Sequence, residues 1–249
     1  MPWTGLLFWR KPMVLKKTNH WIALFFCLVL VSGCAGLPAA YTAATSGTYK
    51  VRSGDTLYSI AFRYGLDYKR LARVNGIQPP YTIYTNHVIK LRGSARLPEK
   101  DSGPVSKPTA TASKKLPPPV KTPNKPISAW RWPLQGEVIG RFSLQNPVNK
   151  GIDIAGKEGE KVVAAADGVV VYAGGNLRGY GKLVIIKHND NYLSAYGNND
   201  SMLVKEGETV KAGKSIARVG KTAADVEMLH FEIRRDGKPV DPMKYLPAS

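Results

Sequence analysis

"KVVAAADGVVVYAG", Lys161 to Gly174, decides the fold of the larger part of this chain. Two runs rich in Val and Ala flank Ala-Asp-Gly, a turn signal between strands. The same texture repeats on both sides. "EVIGRF" and "GIDIA" precede it; "KLVIIKH", "NYLSAY", "KSIARVG" and "MLHFEIRR" follow, with "HNDN" as a further turn signal. No long helical period interrupts these runs. Residues 130–249 therefore predict a compact, antiparallel β domain.

Upstream, residues 48–93 read "TYKVRSGDTLYSIAFRYGLDYKRLARVNGIQPPYTIYTNHVIKLRG". "YKV" is a short strand. Asp55 or Thr56 can cap a helix whose apolar positions Leu57, Ile60, Ala61 and Tyr64 recur at helical spacing, and Gly65 ends it. Asp67 can cap a second helix that packs Leu71 and Val74 and stops at Asn75-Gly76. "HVIKL" closes the unit, so the order is βααβ. With the β domain this predicts an α+β, multi-domain chain.

Between the two lie residues 94–129, where eight prolines stand among Lys, Ser, Thr and Ala. Such a Pro-rich linker cannot pack a core; extended, it reaches about 100 Å at about 3.1 Å per residue. The N-terminus is different again. A basic stretch precedes the eleven-residue apolar run Trp21–Val31, too short to span a bilayer and suited to a signal-peptide core. "VSGC" follows, and Cys34 is then the one cysteine left after cleavage, which leaves no intramolecular disulfide. Met13 gives the signal a more ordinary length than Met1. The expected segments are a signal peptide (1–33), a lipidated tether (34–47), the βααβ module (48–93), the linker (94–129) and the β domain (130–249).

The formal charge of +18 suits a polyanionic partner. The βααβ module carries 8 basic and 2 acidic residues, and the β domain 17 and 14. This spread, without an Arg-rich helix or an aromatic stacking set, argues against nucleic acid.

"VSGC" resembles a bacterial lipobox, which implies lipidation at Cys34; Ala35 in the next position implies sorting to the outer membrane. Residues 48–93 resemble a LysM module through Tyr49, Val51, Gly54-Asp55-Thr56-Leu57, Ile60-Ala61, Gly65, Leu71 and Asn75. Asn86 stands where that family usually has Gly, a position Asn tolerates because it accepts the left-handed conformation. The resemblance implies binding of N-acetylglucosamine-containing glycan, here peptidoglycan, at Gly54, Asp55, Thr56, Leu57, Ile77, Gln78 and Pro80.

Residues 130–249 resemble the LytM (lysostaphin-like) zinc-peptidase domain through "WPLQGEVIGRF", "GIDIAG", "VVAAADGVVVYAG", "GYGKLVIIKH" and "LHFEIRRDGKPVDPMKYL". Active members hold zinc with the His and Asp of His-x-Gly-x-Asp and the second His of His-x-His. Proton-handling histidines stand at the first position of His-x-His and at a Tyr-x-His turn. In this chain Asn149 takes the place of the first ligand, Asp153 and His230 keep the other two, and Met228 and Asn198 replace the proton-handling histidines. Two ligands do not make the three-residue open site of catalytic zinc, and neither Met nor Asn is a general base near neutral pH. No metal, cofactor or catalytic residue is therefore expected.

The order of lipobox, LysM, Pro-rich linker and LytM-like domain, with "NKGIDIAG" itself, is similar to the NlpD-type lipoproteins. That resemblance implies a non-catalytic protein whose degenerate groove, at Asn149, Asp153, Asn198, Met228 and His230, binds and activates a periplasmic N-acetylmuramoyl-L-alanine amidase during cell separation. The alternatives are a residual zinc endopeptidase and a passive link between envelope and wall.

Overall fold

The computed structural model describes residues 47–92, 124–222 and 225–248. The expected signal, Cys34, the tether up to residue 46 and most of the Pro-rich linker lie outside them.

The small module is βααβ. Strands β1 (Thr48–Lys50) and β2 (Val88–Lys90) pair antiparallel, with Tyr49 opposite Ile89. Alternation turns Tyr49 and Ile89 into the core and leaves Lys50 and Lys90 outside. Helix α1 (Leu57–Tyr64) starts on a reciprocal cap. The Ser59 N–H donates to Thr56 Oγ1, and the Thr56 N–H donates to Ser59 Oγ, both at 3.0 Å. Gly65 ends it at φ 63°, where a side chain would strain the backbone. Helix α2 (Tyr68–Val74) is capped by the Asp67 carboxylate, which accepts from the Arg70 N–H at 2.8 Å. Asn75 then ties its end to β2: the side-chain amide donates to the carbonyls of Leu71 and Lys90 and accepts from the Lys90 N–H. Asn86 is left-handed, at φ 71°.

The larger domain is antiparallel β. Its strands are β3 (Val138–Gly140), β4 (Ile152–Ala155), β5 (Lys161–Val163), β6 (Gly168–Gly174), β7 (Lys182–Lys187), β8 (Tyr192–Met202), β9 (Thr209–Val210), β10 (Ser215–Lys221), β11 (Glu227–Arg235) and β12 (Lys238–Val240). They run in the order β3-β4-β11-β10-β8-β7-β6-β9; β12 pairs with β11, β5 with β10, and β11 also with β8. The Tyr-x-His-type turn expected at Tyr196-Gly197-Asn198 is instead part of β8. This strand pairs with β11 up to Gly197 and with β10 from Asn199, and Asn198 absorbs the change at φ 59°.

The sheet buries both faces. Val184, Ile186, Tyr196, Leu229, Phe231 and Ile233 belong to the domain's own core. On the opposite side Leu183, Ile185, Leu193 and Ala195 join one apolar cluster with Leu57, Tyr58, Phe62, Tyr68 and Leu71 of the βααβ module. Full burial of a Leu or Ile side chain contributes about 1.5–3 kcal/mol, so this face favours contact strongly. The linker's reach is accordingly not used to hold the two parts about 100 Å apart. Its described end returns beside them: Lys125 O accepts from Asn189 Nδ2, and Asn124 Oδ1 from the Asp190 N–H, each at 3.3 Å.

Candidate functional site

Strand β11 presents Met228, His230, Glu232 and Arg234 on one face, because alternate residues share a side. The first three line a groove of about 920 Å³, with Asn149, Asp153, Tyr180, Asn198 and Val148 among the other walls. Register brings the pieces together: His230 stands opposite Asp153 on β4 and Gly197 on β8. Asn149 is set by its bridge to Ser143. Gly140 has to be glycine here, since a Cβ would lie 2.2 Å from Asp153 Oδ2. The five residues expected at the degenerate site are thus gathered in one place.

These residues are bonded to one another. Asn149 Nδ2 donates to Asp153 Oδ2 at 2.7 Å, and Asn149 Oδ1 accepts from the Gly151 N–H at 3.1 Å. His230 bonds Asp153 Oδ1 through Nδ1 at 2.7 Å and Glu232 Oε1 through Nε2 at 3.2 Å. With carboxylates on both nitrogens, both must donate, which is the imidazolium form. Burial alone would push this histidine down; the hydrogen bonds and charges of Asp153 and Glu232 outweigh it and raise the pKa to about 9. Glu232 has no exposed side-chain surface. Burial opposes its charge as well, yet Arg234 at 2.7 Å and His230 hold its carboxyl at about 2. Tyr180 donates its hydroxyl to Glu232 Oε1 at 2.8 Å. Beyond, Arg234 Nη1 donates to the carbonyl of Phe62 at 2.7 Å, and the guanidinium lies 3.5 Å from that ring's centre.

These residues do not fit zinc. Of the three protein ligands that catalytic zinc needs, only Asp153 and His230 stand here, and Asn149 in the third place offers a neutral, weak donor. Among the described residues no three His, Cys, Asp or Glu side chains are arranged to hold a metal ion. What the groove offers is a charged, internally satisfied floor beneath apolar walls. Leu144, Val148 and Val226, on the loops that carry its lining, are exposed.

The glycan residues expected on the module divide by orientation. The Asp55 carboxylate is fully turned in, accepting from Tyr49 Oη at 2.6 Å and the Arg52 N–H at 2.9 Å beside Arg63. Leu57 is core, Thr56 is the helix cap and Ile77 is half-buried; Gly54, at φ 80°, Gln78 and Pro80 are exposed. At Asp55 and Leu57 only the backbone is therefore turned outward. Tyr81, next to Pro80, packs edge-on against Tyr58, next to Leu57, and so joins the two loops.

Sequence reasoning passed over Glu232, Arg234 and Tyr180. The signal for the first two was the alternation Met228-x-His230-x-Glu232-x-Arg234, which places a charged pair in line with the site.

Comparison with known proteins agrees with this division. Peptidase family M23 matches residues 147–242, and the LysM domain matches residues 49–92. The chain is 50% identical to the lipoprotein NlpD/LppB homolog of Pseudomonas aeruginosa, over 87% of this chain and 82% of that protein. It is 42% identical to lipoprotein YgeR of Escherichia coli, over 93% and 94%. It is 40% identical to the murein hydrolase activator NlpD of Escherichia coli, over 82% and 68%.

Proposed function

The chain belongs to the NlpD/LppB family of lipoproteins, and from that membership we propose that it is a non-catalytic, lipid-anchored activator of a periplasmic N-acetylmuramoyl-L-alanine amidase. Its place is the periplasmic face of the outer membrane, anchored through Cys34. Peptidoglycan is the ligand of the LysM module, through the backbone of Gly54–Leu57 and the exposed Gln78 and Pro80. The five segments bounded at residues 33, 47, 93 and 129 are part of the same reading.

One observation carries it. At the peptidase position the chain has a groove whose floor is bonded to itself and whose walls include exposed apolar residues. Asn149 and His230 are engaged with Asp153, and Met228 and Asn198 offer no base. Such a groove binds a protein segment rather than cutting one. Activation is then a population shift: the groove must prefer the amidase conformation with an open active site over the closed one, or it shifts nothing. The amidase, not this chain, hydrolyses the bond between muramic acid and L-alanine.

The test is release of dye from labelled sacculi. The whole chain alone should release none; amidase alone should release little; the two together should release much more. Release by the chain alone, stopped by EDTA, would overturn the non-catalytic reading in favour of a residual zinc endopeptidase. Unchanged release across a panel of such amidases leaves only a passive linker.

A further inference from the structure

The loop 175–181 touches the LysM module at one end and the groove at the other. Asn176 Nδ2 donates to the Ser53 carbonyl at 3.1 Å, and Arg63 Nη2 donates to the Asn176 carbonyl at 3.2 Å. Contact is close enough that a Cβ on Gly54 would lie 2.7 Å from Asn176 Nδ2. The Asn176 N–H is fixed in turn by the Tyr172 hydroxyl at 3.0 Å, and Leu177 is buried in the core shared by both modules. Two and three residues further on, Gly179 and Tyr180 line the groove. The Tyr180 carbonyl accepts from the Asn198 N–H at 2.8 Å, and its hydroxyl reaches Glu232. The Tyr180 ring stands edge-on to Phe62 of helix α1 at 5.4 Å and tilted to His230 at 5.7 Å. A second connection runs along β11, where Arg234 joins the Phe62 carbonyl to Glu232 and so to His230.

We propose that glycan bound at the LysM loops orders the groove wall through Asn176 and Tyr180, so that the chain binds its groove partner better when it is attached to the wall. This rests on the glycan reading above and gives that reading a regulatory consequence. The segment Ser53–Leu57 is both the expected glycan contact and the segment that Asn176 grips. A sugar that restrains Ser53 and Gly54 restrains the carbonyl that holds Asn176, and with it the chain leading to Tyr180. A wall already ordered needs less ordering when the partner enters, which is positive coupling without a large movement. By linkage the partner tightens glycan binding by the same factor. The packing of Leu183, Ile185, Leu193 and Ala195 against α1 and α2 keeps the two sites in one body, the condition for such coupling.

The experiment is amide hydrogen exchange on the whole chain in detergent, with and without saturating chitotetraose, the β-1,4-linked N-acetylglucosamine tetramer. Exchange should slow at residues 54–57 and also, by about two-fold or more, at residues 179–181 and 198 in the groove. Asn176→Ala removes one hydrogen bond from an exposed side chain and leaves the core intact. In that variant the slowing at 54–57 should remain and most of the slowing in the groove should be lost, the Arg234 connection carrying what is left. Slowing confined to the module's loops in the unaltered chain overturns the coupling alone. Groove slowing that is undiminished in Asn176→Ala overturns the assigned connection. No slowing anywhere overturns the coupling together with the glycan reading. No amidase enters the measurement, so its result stands apart from the activation assay.

Discussion

The two histidines of the β domain, His188 buried and His230 half-buried, carry opposite shifts. His188 Nδ1 donates to the Asp167 carbonyl and its Nε2 bonds the Ser194 hydroxyl, both at 2.7 Å, and burial pushes its pKa down to about 4. Below the ordinary value of 6.5 the unfolded chain takes a proton that the folded chain refuses. Stability is therefore lost as pH falls from about 6.5 to about 4, on the order of 3 kcal/mol at about 1.4 kcal/mol per pH unit. His230 runs the other way: its contribution is complete below about 6.5 and is lost as pH rises through about 9. Urea unfolding of the whole chain across pH 4–9 should trace both flanks, and in His188→Asn the acid-side loss should shrink. Glu232→Gln should cost about 3–5 kcal/mol in the same assay, because it leaves Arg234 buried without its counter-charge. Met228→Arg, at the half-buried wall, should end amidase stimulation while leaving the unfolding free energy within about 0.5 kcal/mol. Asn149, Asp153, Asn198, Met228 and His230 were legible because each occupies a fixed place in a spaced motif. Glu232 and Arg234 were not, because a charged pair in a strand reads as solvated surface until the strand's neighbours are known.

Helix α1 was legible almost to the residue, since its limits are written in local chemistry. Thr56 and Ser59 complete the reciprocal cap, and Gly65 supplies the left-handed end. Thr56→Ala should destabilise the module by about 1 kcal/mol, and Ser59→Ala added to it should cost less than Ser59→Ala alone, since the two share one cap. A double-mutant cycle on the unfolding free energy checks this; strict additivity would mean that the cap is not reciprocal. Strand β8 was less legible. Gly197-Asn198 carries a turn signal, and what overrides it is pairing on both sides, with β11 up to Gly197 and β10 from Asn199. Local sequence does not record that a strand will change partners.

At the scale of the molecule, the union of the two modules was the feature least visible in the sequence. "KLVIIK" reads as a buried strand, but the run itself does not say whether its second face meets a helix, another sheet or a partner. Here Leu183 and Ile185, with Leu193, Ala195, Val171 and Leu177, meet the LysM helices. Gly237, in the turn between β11 and β12, lies so close that a Cβ there would stand 2.2 Å from the Leu66 carbonyl. An interface this apolar behaves like a core cut in half, and its halves differ from domains that merely share a tether. Deleting residues 48–92 should therefore do more than abolish glycan binding. It should expose that face and leave Arg234 without the Phe62 carbonyl and ring that receive it. The shortened chain is expected to bind 8-anilinonaphthalene-1-sulfonate, to unfold at a lower temperature than the whole chain, and to stimulate an amidase less even at equal concentration in solution, where attachment to the wall plays no part. Equal melting temperature, no dye binding and full stimulation by the shortened chain would show that the groove stands without the module and that the contact between them is incidental.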